Sequence, residues 1–343
     1  MPITTHRHGT GRRRYREVVL GASAHPRGEP PAVPRRPSNV VAGVVLDASP
    51  HLLVLSTADG EVRLPMLPGT TIWHGERGGL AALRPGREVI VRPSADGLGA
   101  ARVWVDIGRV TGTIQACGRN TVEVDMGPHR GRTHVVIPPH ALGHVLVRHP
   151  RLEPGYLIDV ICVRSADGPM AFRPGTSQPG HRPADLASPE PGAAVPETMH
   201  GTATWFGGAT YEPRPGSGGA GMGGERPFTL AGEAGVAYPA VDPEGEAGGC
   251  SDAPSGCVAL PYLSIGSDLV LHNSCADRSS ALPVIECGCM AARFCDRCVT
   301  CDTSPRGRLG ELTPAAFVAL GGDLDKGCFN TVLRNSVPRA AEG

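Results

Sequence analysis

Lysine is nearly missing from this chain: Lys326 is the only one, and every other basic residue is an arginine. Aromatic residues make up just 4% of the 343 positions, so no single large core can be built on aromatic packing. No stretch approaches the roughly 20 consecutive apolar residues that a helix needs to cross a bilayer. An excess of charge is missing too. With 33 basic and 33 acidic residues, no whole-molecule field recruits nucleic acid or an anionic membrane surface. What is plentiful is glycine (47), proline (34) and cysteine (11), a composition that assigns much of the chain to turns and linkers and leaves the ordered parts small.

A chain of this length holds two or three ordinary domains. Residues 1–38 read as a disordered basic tail. Within it, "GRRRYREVVLGASAHP" faintly resembles an export signal, but the apolar part, Val18 to Ala24, barely reaches the roughly 7 residues such a core requires. A repeat follows. "VVAGVVLDASPHLLVLSTADGEVRLPM" from Val40 and then "LRPGREVIVRPSADG" return as "RVTGTIQACGRNTVEVDMG" and "LEPGYLIDVICVRSADG", with Gly43 and Gly112 in register with Pro85-Gly86 and Pro154-Gly155. In each copy apolar residues alternate with polar ones over short runs between Asp-Gly and Pro-Gly turns, which predicts strands. Five such runs suffice for a small closed barrel. The copies, 39–106 and 107–173, resemble the small OB-like barrels found in tandem in bacterial proteins, and by that analogy each is a binding or spacing module. His140 and His144, four apart, stand beside proline and glycine and read as solvated side chains rather than a site.

Residues 174–200 lack periodicity and are rich in Pro, Gly and Ser, as expected of a linker. The third region, 201–335, opens on "GTATWFGG" and passes through a glycine-rich stretch to about Gly235 that reads as a mobile loop. Short β runs follow. The exception is Thr313 to Leu320, where a threonine N-cap, Pro314 at the first helical position and Gly321-Gly322 at the end predict one short helix. A tail, 336–343, closes the chain.

Four motifs of this region occur in an order that resembles the double-psi β-barrel of the RlpA family of septal lytic transglycosylases and of the first expansin domain. "ATWFGG" is similar to the family's "ATYYG" or "ASWYG", and "LPYLSIGSDLVLHN" to "LPFGTxVRVTN". "PVIECG" is similar to "VxVNDRG" or "VYVTD", and "RGRLGELTPAAFVALG" to "GRxxDLSxxAFxxLG". The expected fold is therefore mostly β: two tandem OB-like barrels, then a Cys-rich double-psi β-barrel with one short helix. The family's two aspartate positions fall on Glu286 and Glu311, and Cys257 stands where it has a histidine. By that resemblance Glu286 and Glu311 are the candidate catalytic pair. Lytic cleavage of a glycan needs one acid kept protonated near neutral pH and no water nucleophile, unlike hydrolysis by two carboxylates. Glu311 also has a plainer reading, as a carboxylate favouring the positive end of the helix that starts just after it. Trp205, Phe206 and Tyr262 are the candidate platforms for a sugar ring, although in a chain so poor in aromatics Trp205 and Phe206 also suit a core.

Between the two glutamates lies a cysteine-rich insert, "CGCMAARFCDRCVTCDTSPRG". Its spacing fits disulfide stapling and also fits a zinc ion held by Cys289, Cys295, Cys298 and Cys301. No other cofactor is implied. The resemblance implies a polysaccharide partner, peptidoglycan foremost, and a place in the cell envelope or outside the cell. Three functions stand open: a lytic transglycosylase-like enzyme, a non-catalytic expansin-like wall binder, and a cytosolic protein with a zinc knuckle. The sequence does not choose an oligomeric state.

Overall fold

The computed structural model describes residues 40–177 (without 77 and 129), 182, 197–207, 233–242, 258–298 (without 289 and 296) and 307–334. Both predicted tails, most of the predicted linker and the glycine-rich stretch 208–232 lie outside the described residues.

The duplicated segments fold as two five-stranded barrels of one design. In the first, β1 (Val41–Ala48), β2 (Leu52–Thr57), β3 (Gly60–Trp73), β4 (Glu88–Pro93) and β5 (Ala100–Val105) close in the order β1-β2-β3-β5-β4, with β3 and β5 parallel. In the second, β6 (Ile107–Cys117), β7 (Thr121–Asp125), β8 (Arg132–Val136), β9 (Leu157–Val163) and β10 (Met170–Pro174) take the same cyclic order, with β8 and β10 parallel. This is the OB-like closure expected from five alternating runs. The shared glycines mark its tightest corner. A Cβ on Gly43 would come within 2.7 Å of the Ser56 carbonyl oxygen, and one on Gly112 within 2.2 Å of the Asp125 carbonyl oxygen, so neither first strand could curl onto its neighbour with a side chain there.

The copies differ above β3 and β8. Where the first has a single 3-10 turn at Leu80–Ala82, the second has a helix, α1 (Pro139–Arg148), that buries Ala141 and Val145 one turn apart. His140 and His144 lie on this helix, which their proline and glycine neighbours did not suggest, and both are exposed on it, as solvated side chains would be. Gly143 in mid-helix and the prolines at either end hid its periodicity.

The third barrel has six strands: β11 (Thr198–Trp205), β12 (Val236–Tyr238), β13 (Asp268–Asn273), β14 (Arg278–Cys287), β15 (Arg308–Leu312) and β16 (Cys328–Arg334), closed in the order β11-β15-β12-β14-β13-β16. Pairs β11/β15 and β12/β14 are parallel and the rest antiparallel. β11 begins three residues inside the predicted linker. The expected short helix is present as α2 (Pro314–Ala319), with the Thr313 hydroxyl accepting the Ala316 N–H at 3.3 Å.

The two small barrels are not spacers held away from the third. One buried apolar cluster runs from Trp73, Ile90 and Trp104 through Ile107 and Ile161 to Trp205 and Leu324, and so crosses all three barrels. Polar contacts reinforce it. Asp325, in a 3-10 turn before β16, accepts the Trp104 indole N–H at 2.8 Å and the Arg102 guanidinium at 2.7 Å. The backbone amide and carbonyl of Ser177, just past β10, bridge those of Arg297 in the cysteine-rich insert.

Candidate functional site

The site begins at Ala237, the middle residue of the short strand β12. It pairs with Glu286 on one side, on β14, and with Glu311 on the other, on β15. Directly paired residues project to the same face of a sheet, and adjacent strands lie about 4.8 Å apart. The two glutamates, distant in sequence, thus flank one small side chain on one face.

One extra residue aims Glu286 there, and a second turns Arg308 toward Glu311. On β14 the pairing runs Val236 to Val284 and then Ala237 to Glu286, so that Ile285 is a bulge. Without it Glu286 would share the face of Val284, whose side chain belongs to the apolar core. On β15, Thr202 pairs with Arg308 and Ala203 with Gly310, leaving Leu309 as the bulge. Residues three apart in a regular strand face opposite ways. The bulge instead puts Arg308 and Glu311 on one side, with Nη1 donating to Oε1 at 2.7 Å.

An arginine from the second barrel stands between the two carboxylates. Arg130, in the β7–β8 turn, donates from Nη2 to Glu286 Oε1 at 2.5 Å and from Nη1 to Glu311 Oε2 at 2.9 Å, while its guanidinium lies 4.6 Å above the Phe206 ring. The turn is seated tightly: Gly127 has φ of +94°, and a Cβ there would come within 2.7 Å of Met290 in the cysteine-rich insert.

The ionic chain continues inward. Arg308 spans from Glu311 to Asp159, its Nη2 at 2.6 Å from Oδ2, and lies 4.0 Å over the Phe294 ring. Asp159 also receives Arg109 through two bonds of 2.8 and 2.6 Å, and Thr176 at 2.9 Å. Arg109 ends the chain on the Gly327 carbonyl oxygen at 2.5 Å. Glu286, Arg130, Glu311, Arg308, Asp159 and Arg109 alternate in sign and balance. Asp159 and Glu311 are 0% and 1% exposed. Burial by itself would push the Glu311 carboxyl up, but Arg130 and then Arg308 outweigh it and hold it below the usual carboxylate range. Asp159 behaves alike: burial raises it, and Arg109 and Arg308 together hold it far lower. Glu311 is therefore an ionised acceptor at neutral pH in this arrangement. It does not cap α2, which Thr313 does.

The other candidate residues separate. Trp205 is a core side chain, 1% exposed, with its indole N–H on the Leu324 carbonyl oxygen at 2.9 Å. Phe206 is buried beneath Arg130. Tyr262 is 41% exposed and offers its ring to solvent. Of the proposed zinc ligands, Cys289 and Cys301 lie outside the described residues, while Cys298 is buried with its Sγ 3.1 Å from that of Cys328. Among the described residues no group of three or more His, Cys, Asp or Glu side chains is placed to hold a metal ion.

Sequence reasoning missed the four groups that set the electrostatics here, Arg130, Arg308, Asp159 and Arg109. One carried a signal. Asp159 interrupts the otherwise apolar strand "LIDVICV", and an acid in a wholly buried strand must have partners. No protein-family model matches the chain, and no curated protein is similar to it.

Proposed function

We propose that the protein acts at the cell wall, with the third barrel as a peptidoglycan-interacting module whose groove carries an acid pair like that of the lytic transglycosylases. The observation that carries this reading is the convergence of Glu286 and Glu311 on Ala237, with the Ile285 bulge turning Glu286 to that face. The closed six-stranded barrel and the motif order support the double-psi, RlpA-like assignment. In this reading Glu286, a third exposed, is the proton donor to the glycosidic oxygen. Glu311, kept ionised by Arg308, is its electrostatic partner, and Tyr262 is the sugar platform. In this reading the cysteine-rich insert is stapled by disulfides, which suits an oxidising compartment and an envelope location.

A second reading, wall binding without turnover, has one specific observation behind it: both carboxylates are engaged by Arg130. Sedimentation with purified peptidoglycan tests what the two readings share. The protein is expected in the pellet, and Tyr262→Ala is expected to weaken retention by about tenfold, the loss of roughly 1 to 1.5 kcal/mol of aromatic contact. Protein that stays wholly in the supernatant, both as wild type and as Arg130→Ala, would overturn both.

A further inference from the structure

The box formed by Glu286, Glu311 and Phe206 has the composition of a receptor for a planar cation. Two carboxylates supply acceptors on one face of the sheet, an aromatic face supplies the floor, and a guanidinium matches both, as a fork of donors and as a flat, weakly hydrated ion. We propose that this box is a guanidinium-binding site, filled from within the chain by Arg130, and that Arg130 there closes the groove to polysaccharide.

Three observations carry it. The occupant comes from another barrel and from a turn rather than a strand, so its departure breaks no rung of a sheet ladder. The box does not depend on its occupant, since Glu311 keeps a cation of its own in Arg308 at 2.7 Å and Phe206 is fixed by its backbone N–H on the Leu312 carbonyl oxygen at 3.0 Å. Finally, the Arg130 side chain is 25% exposed while Arg308, on the same carboxylate, is 0% exposed, so one of the two can reach solvent and the other cannot. When Arg130 withdraws, Glu286 loses this partner and the face it shares with Glu311 is uncovered. The occupied box is thus closed, and the vacated box is open. The closing role rests on the peptidoglycan reading above; the guanidinium site does not.

Methylguanidinium is the probe, titrated calorimetrically into the full chain as wild type, Arg130→Ala, Arg130→Gln and Arg130→Ala with Glu286→Gln. The glutamine variant keeps the turn filled should the alanine protein fail to fold. The single variants are expected to bind one equivalent saturably, and the wild type and the double variant to bind at least about tenfold more weakly, as for a site whose competent state is a minor population. Folded single variants that take up no methylguanidinium would overturn the proposal. Peptidoglycan sedimentation of the same proteins reads the closing role. Retention of the single variants about tenfold tighter than wild type supports it, and equal retention of all of them overturns it. If none is retained while methylguanidinium still binds the single variants, the guanidinium site stands and the peptidoglycan reading falls.

Discussion

Asp159 is the residue on which the most depends. It is fully buried and receives two guanidinium groups and the hydroxyls of Thr176 and, at 3.4 Å, Thr111, so its charge is stabilised only while these stay in place. Asp159→Asn leaves Arg109 and Arg308 buried with half their counter-charge, a change expected to cost about 3 to 5 kcal/mol in chemical denaturation. The same groups set an acid limit. A carboxylate held below its unfolded value contributes stability that is complete above that value, near pH 4, and is lost as pH falls through the folded one. Asp159 and Glu311 are both of this kind. Thermal melts should therefore hold steady from neutral pH to about pH 5 and decline below about pH 4, with a shallower decline in Asp159→Asn. A wild-type midpoint unchanged down to pH 2 would contradict this. At this scale the candidate glutamates were legible from motif order alone, but their ionisation was not. That depends on Arg130, and nothing local to "GPHRGR" says which carboxylates its guanidinium will meet.

At the scale of elements, the features legible in the sequence were those whose cause is local. α2 announced itself because Thr313, Pro314 and Gly321-Gly322 each serve a backbone need within a few residues. The strands of the repeat did so by alternation and turn residues. The bulges at Ile285 and Leu309 were not legible, because a bulge is a relation between two strands and neither strand alone contains it. The matched glycines lie between these cases: their spacing signalled duplication, and the structure supplies the reason. Gly112→Ala would drive a methyl into the Asp125 carbonyl and is expected to cost about 1 to 3 kcal/mol, as overpacking does. Gly69→Ala meets nothing within 4 Å and is expected to stay within about 0.5 kcal/mol of wild type. Paired urea melts of the two variants make the comparison, and equal effects would remove the close-approach argument.

At the scale of the molecule, the three barrels share one buried cluster and two ionic seams, one centred on Asp159 and one on Asp325. Composition favoured separate small domains on linkers. It could not register that Trp73, Trp104 and Trp205, the only tryptophans, are all spent in the common cluster. The wild type is expected to melt in a single calorimetric transition. Asp325→Ala strips the partner from Trp104 Nε1, leaves Arg102 only the longer contact with Asp323 at 3.7 Å, and should weaken docking of the first barrel by about 3 kcal/mol, dividing that transition in two. A variant that still melts in one step would mean that the apolar cluster and the remaining Arg92–Asp323 pair suffice to couple the first barrel to the third.

The twin barrels close with the same glycine and the same strand order, but their second and third strands are joined differently. In the first copy two residues separate β2 from β3, and in the second six separate β7 from β8, with Arg130 among them. Once a gene segment has been doubled, one copy can keep the architecture while the other drifts, and drift is tolerated most readily where no neighbouring strand is relying on the backbone. The longer bend carries its arginine finger at a place where no strand pairing depends on the backbone.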